Sequence, residues 1–114
     1  MLMDELRIRA AEGTWVVLAG DAVIGESAKA LELSEPGLPP VIYFPRDDLA
    51  MVLLDASETT WTCPVKGQAQ HFHVSAINGA IRDAGWSFET PRPEAERIAG
   101  HIAFASDKVT LRQG

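Results

Sequence analysis

Thr62-Cys63-Pro64-Val65-Lys66-Gly67 gathers the chain's single cysteine, a proline, a lysine and a glycine into six consecutive residues. Reactive and backbone-restricting residues crowded into a short loop are the usual way a rigid scaffold presents function. Cys63 has three readings. It is a small buried hydrophobe at a strand end, a thiolate activated by Lys66 or a histidine, or one ligand of a metal site completed by His71, His73, His101 or carboxylates. The spacing from Cys63 to His71 and His73 matches no zinc signature, and no metal site is assigned. Lys66 is either a solvated turn lysine or a mobile point charge for a phosphate or carboxylate, and Gly67 lets a ligand or a second backbone come close. The segment is no P-loop, because the glycine spacing ahead of Lys66 is missing and no Ser or Thr follows it.

Tyr43-Phe44-Pro45-Arg46-Asp47-Asp48 forms the second constellation. A tyrosine at a strand end and an arginine just past a proline can face one cleft, the guanidinium offering a two-pronged grip on an anion. The plainer alternative makes Tyr43 a core ring and pairs Arg46 with a nearby acid. Trp86-Ser87-Phe88 ahead of Pro91 reads as core or cleft wall, and Trp15 and Trp61 read as packing. His71 and His73 share one strand face, as two imidazoles of one pocket or as a wet sheet surface.

Short strands separated by turns must position these groups. Thr14–Ala19 and Ala22–Ile24 flank Gly20-Asp21 and predict a first hairpin, with Ala28–Leu33 as a third strand or a helix. Ser34–Pro40 carries three prolines and predicts a loop. Val41–Phe44 follows as a strand, and Arg46–Ala50 as a helical turn with Asp47 or Asp48 at its N-cap. The type of Met51–Leu54 is left open by its unbroken apolar pattern. Gln68–Ser75 alternates, with Phe72 and Val74 on one face. Asn78-Gly79 predicts the turn into a return strand over Ile81–Phe88, in which Gly85 marks a bulge or a close backbone approach. Pro93–Arg97 predicts one or two helical turns ending at Gly100, and His101–Ala105 with Val109–Arg112 a last hairpin.

The whole predicts one mainly β domain over residues 1–114, an antiparallel bent sheet or open barrel with one or two short helices. No helix of ten or more residues links successive strands, as a parallel α/β fold requires. A 46 % hydrophobic content over 114 residues suits one core without disulfides. A net charge of −6 argues against nonspecific nucleic-acid binding. Met1–Arg9 lacks an apolar signal region, and no apolar run reaches the roughly 20 residues that span a bilayer. A cytoplasmic protein with no membrane partner and no cofactor is the expectation.

The Tyr43–Asp48 segment, then Thr62-Cys63-Pro64-Val65-Lys66-Gly67-Gln68-Ala69, then Trp86-Ser87-Phe88 before Pro91, then Ile98–Phe104, resemble in order and spacing the domain of unknown function family 427, also labelled nucleotidyltransferase-like. The resemblance covers about residues 41–110, with the first forty as a strand-rich lead-in. It implies a small tent-like β fold, similar in topology to zinc-binding relatives built on Cys-x-x-Cys pairs, which this chain lacks. The chain also departs from the family at His71, where an aromatic residue is typical. Together these features predict a cleft holding a small anionic or polar ligand, with Tyr43, Arg46, Cys63, Lys66 and Trp86 as its candidate contacts. An enzyme, nucleotidyltransferase-like or dependent on Cys63, is the alternative. A structural partner using an apolar patch at Met1–Leu6 or Met51–Leu54 is the other.

Overall fold

The computed structural model describes residues 6–114. Ten strands alternate with turns: β1 (Arg7–Ala10), β2 (Trp15–Ala19), β3 (Ala22–Ser27), β4 (Leu31–Ser34), β5 (Val41–Phe44), β6 (Leu54–Cys63), β7 (Gly67–Ala76), β8 (Gly79–Ser87), β9 (Ile102–Phe104) and β10 (Thr110–Gln113). They form a seven-stranded sheet, ordered β1-β4-β5-β9-β8-β7-β6, and a three-stranded sheet, ordered β10-β2-β3. Every strand pair is antiparallel. Neither sheet closes into a barrel, and the helical pieces are 3-10 turns at Arg46–Asp48, Met51–Leu53 and Pro93–Ile98. Among the described residues no helix is long and apolar enough to cross a membrane.

The middle of the large sheet is buried on both faces. Its inner face meets the small sheet through Ile42, Phe44, Phe72, Val74, Ile102 and Phe104, packed with Val17, Ile24 and Val109. Phe44 and Phe104 meet edge to face, ring centroids 5.8 Å apart. Its outer face carries Leu33, Tyr43, Ala69 and Ala103, covered by Cys63, Phe88, Ala95 and Ile98. Burial on two faces explains why β5 reads as unbroken Val-Ile-Tyr-Phe rather than as alternation.

Local turn chemistry decides the hairpins. β2 and β3 join at Ala19↔Ala22 across Gly20-Asp21, with Gly20 at φ 63°. β7 and β8 join at Ala76↔Gly79, so the turn centres on Ile77-Asn78, one residue earlier than Asn78-Gly79 predicts, and Gly79 closes it at φ 118°. Gly85 makes the expected close approach: a Cβ there would lie 3.1 Å from the Ala103 carbonyl oxygen.

Three expectations are corrected. The segment after β3 crosses to the large sheet as β4, between β1 and β5, instead of extending the first hairpin. β9 and β10 are no hairpin, because Ser106-Asp107-Lys108 carries the chain from the middle of the large sheet to the edge of the small one. The first 3-10 turn starts after Pro45 without a side-chain cap. Asp48 instead accepts the Ser27 hydroxyl at 2.6 Å and ties that turn to β3. At Met51–Leu54, whose type the sequence left open, the chain makes a 3-10 turn and then enters β6, with Val52 exposed, Met51 and Leu53 half-buried and Leu54 buried. The alternative patch at Met1–Leu6 lies, save Leu6, outside the described residues.

Candidate functional site

A hollow of about 300 Å³ opens on the outer face of the large sheet. It is lined by Leu33, Val41, Tyr43, Trp61, His71 and Trp86 from the strands, with Glu35 and Lys66 from loops. Strand register explains the space. Tyr43, Ala103 and Trp86 stand side by side across β5, β9 and β8, and His71 follows on β7. Trp61 stands beside Ala69 across β6 and β7. An alanine next to each large ring leaves room between the rings, and rings on adjacent strands wall that room.

The two charged residues arrive on tight turns. Glu35-Pro36-Gly37-Leu38 has Pro at its second position, Gly37 at φ 78° at its third, and a hydrogen bond of 3.1 Å from the Leu38 N–H to the Glu35 carbonyl. Those are the marks of a type II turn, which only a glycine-like third residue adopts easily. Lys66 ends the turn joining β6 to β7, where Cys63 pairs with Gly67 and Gly67 sits at φ 109°. The Arg92 N–H donates to the Lys66 carbonyl at 2.9 Å and pins this turn under the Pro91-Arg92 segment.

Lys66 Nζ donates to Glu35 Oε1 at 2.7 Å, and the ammonium also lies 5.8 Å from the centre of the Phe88 ring. The side chains are only 8 % and 19 % exposed, so this is a largely desolvated ion pair on the wall of the hollow. An ammonium has three donors and a carboxylate two acceptor oxygens. Among the described residues their one hydrogen bond to each other leaves capacity at both groups.

Trp86 Nε1 donates to the Tyr43 hydroxyl at 3.2 Å and fixes the indole against the phenol. Burial pushes the Tyr43 phenol up to about 12, against a smaller opposing effect of the bond from Trp86, so it stays neutral and keeps its proton to donate. Val41 and Trp86 also border a second hollow of about 530 Å³ near Trp15, Leu38 and Phe104.

His71 leads from the hollow into a polar cluster. Three residues of β6, Ser57, Glu58 and Thr59, stand opposite His71 alone, and three of β8, Arg82, Asp83 and Ala84, stand opposite His73 alone. These paired bulges are clipped together across β7 by the Thr59 hydroxyl donating to Asp83 Oδ2 at 2.9 Å. The Asp83 N–H donates to His73 Nδ1 at 2.9 Å, which makes that nitrogen an acceptor. Asp83 has φ 50°, a conformation non-glycine residues visit rarely and aspartate more readily than most. The polar Ser57 beside it and the hydrogen bond from Thr59 hold its carboxyl below the ordinary carboxylate range. His71 Nδ1 and Asp83 Oδ1 are buried without a hydrogen-bond partner among the described residues.

Of the five contacts read from sequence, Tyr43, Lys66 and Trp86 line one hollow. Cys63 packs beside them in the outer core with Leu33 and Phe88, 6 % exposed, as the buried-hydrophobe reading has it. Arg46 is placed elsewhere. Its guanidinium lies 5.5 Å from the centre of Phe72, an inner-face ring, and donates to the Gly100 carbonyl at 2.6 Å and to Glu89. The two cations therefore do not meet over one hollow: Pro45 turns the chain to the far side of the sheet, where local acceptors engage Arg46. Glu35, Trp61 and His71 complete the lining without having been singled out as contacts. An acid next to a Pro-Gly turn was the one available signal for Glu35. Among the described residues no three His, Cys, Asp or Glu side chains stand close enough together to hold a metal ion.

The family model described as Domain of unknown function (DUF427) matches residues 7–113. The chain belongs to that family. Its short label names an NTP transferase, while its description assigns no activity. The match runs from β1 to β10, so both sheets are part of the DUF427 domain. Comparison with curated proteins finds no match.

Proposed function

We propose that this DUF427 domain binds a small polar ligand in the outer-face hollow, in contact with Tyr43, Trp61, Lys66 and Trp86. The observation that carries this reading is a desolvated Lys66–Glu35 pair set into a wall of aromatic rings. Burying an ion pair costs more than packing apolar residues in its place, so it is weak evidence for stability alone. Unused hydrogen-bonding capacity beside rings is the composition of a small-molecule site, and about 300 Å³ sits at the small end of such cavities.

A thermal-shift screen with uncharged heterocycles, carboxylates, phosphates and nucleotides tests this reading. A binder should raise the melting temperature and quench tryptophan emission. Both effects should disappear in Trp61→Ala, whose side chain is half exposed and carries little of the fold. They should also disappear in the double variant Lys66→Met/Glu35→Gln, which removes the charges together. Protection that survives both variants would put the ligand outside this hollow and sink the reading.

A further inference from the structure

Resting on that binding site, we propose the class of its ligand: an uncharged planar heterocycle bearing an N–H and a C=O on one edge, the lactam or cyclic amide arrangement. Three observations carry it. The lining holds one ammonium and one carboxylate, 2.7 Å apart, so their charges already cancel. An anion would compete with Glu35 for Lys66 and strand a buried carboxylate; a cation would do the converse to Lys66. Breaking a buried pair in this way is strongly unfavourable. A neutral ligand leaves the pair intact.

The pair is also a donor and an acceptor side by side. Lys66 Nζ has donors beyond the one given to Glu35, and Glu35 Oε2 has no partner among the described residues. A carbonyl can accept from the first while an adjacent N–H donates to the second, so an amide edge satisfies both at once. A group with only acceptors or only donors serves one of them.

The third observation is the shape of the space. Trp61 and Trp86 rise from β6 and β8 on either side of β7, Trp61 beside Ala69 and Trp86 beside His71, whose ring centroid lies 6.4 Å from that of Trp86, so the low floor at Ala69 adjoins Trp61. A flat ring laid over Ala69 would have the Trp61 indole on one side and the His71 and Trp86 rings towards the other, all three of which line the hollow. The Trp86–Tyr43 hydrogen bond holds one wall in place before any ligand arrives, and a wall already ordered lowers the entropy lost on binding.

Four probes of similar size decide the matter: 2-pyridone, N-methyl-2-pyridone, benzoate and benzyltrimethylammonium. Each is titrated into the full chain while ¹H–¹⁵N resonances of the Trp61 and Trp86 indoles and the Ala69 amide are followed. 2-Pyridone should shift all three, N-methylation should weaken binding about tenfold for the lost donor, and both ions should leave the signals in place. Trp61→Ala should weaken 2-pyridone binding without changing the spectrum of the inner core. Benzoate or the ammonium binding as well as 2-pyridone at these resonances would overturn the ligand class and leave the site standing. Equal binding of the N-methylated ring would overturn the paired-edge recognition. Silence of all four probes would overturn the class, whereas the site itself is decided by the broader screen and its two variants.

Discussion

At Tyr43, a strand position and a chemical property are the same fact. β5 is central enough to bury the phenol, and burial holds its ionisation up at about 12. Tyr43 is the only tyrosine in the chain, so the rise in ultraviolet absorbance that marks tyrosinate formation reports on it alone, the tryptophans adding a background that does not titrate. Tyrosinate should be absent from the folded protein below about pH 11, where an unfolded tyrosine has already lost its proton. Because the folded pKa is raised, the unfolded state releases the proton first, and stability should fall between about pH 10 and pH 12. Tyr43→Phe should remove that part of the slope in denaturation curves taken across the same range. Lys66 and Glu35 give a second residue-scale expectation. Lys66→Met alone leaves a mostly buried carboxylate unpaired and should cost about 3 kcal/mol in urea denaturation, while the double variant with Glu35→Gln should recover to within about 1 kcal/mol of the parent. Lys66 was legible in the sequence because a lysine beside a glycine in a tight turn is unusual company. Glu35 was not, since its partner lies thirty-one positions away and only folding brings them together. Arg46 shows the converse: an arginine near an aromatic strand end looks like an anion site until the turn after Pro45 is known.

Elements whose cause is local were legible, and elements whose cause is distant were not. The turns at Gly20-Asp21 and near Asn78-Gly79 are written in two or three residues, and both hairpins form. β6 carries no alternation because it is an edge strand with most of its residues exposed, so its sequence is under little burial constraint. The partner of β10 lies more than ninety residues earlier, on β2, and nothing in Thr110–Gln113 points to it. Gly25 belongs to the same group. It bridges Leu49, and the Ala50 N–H donates to the Ile24 carbonyl at 2.8 Å, so the 3-10 turn after β5 rides directly on β3. A Cβ on residue 25 would stand 2.7 Å from the Asp48 carbonyl oxygen, which belongs to backbone and cannot rotate away. Gly25→Ala should therefore cost about 2–3 kcal/mol, the usual penalty for forcing atoms into a packed contact. Gly20→Ala is the control for a strained turn without a clash, since nothing stands within 4 Å of a Cβ at that position. It should cost about 1 kcal/mol from its positive φ alone. Equal losses in the two variants would mean that the close approach at Gly25 is not what anchors the turn.

The chain visits the two sheets in an order that binds them into one folding unit. β1 lies in the large sheet, β2 and β3 in the small one, β4 to β9 in the large one again, and β10 returns to the small sheet. The three-stranded sheet thus takes strands from both ends of the domain, and the core between the sheets is shared by residues of each. Neither layer can bury its apolar face without the other. Trp15 stands in the small sheet, whereas Trp61 and Trp86 stand in the large one. A variant with Trp61 and Trp86 replaced by Phe leaves Trp15 as a reporter on the small sheet alone, while far-ultraviolet dichroism reports on all the strands. The two urea transitions should coincide, as a two-state domain of this size requires. Refolding should fall in the millisecond-to-second range, because β10 must find β2 across nearly the whole chain before the core can close. Loss of the Trp15 signal at distinctly lower urea would show that the small sheet melts by itself. In that case the outer-face hollow, which is built entirely on the large sheet and its loops, would outlast the small sheet.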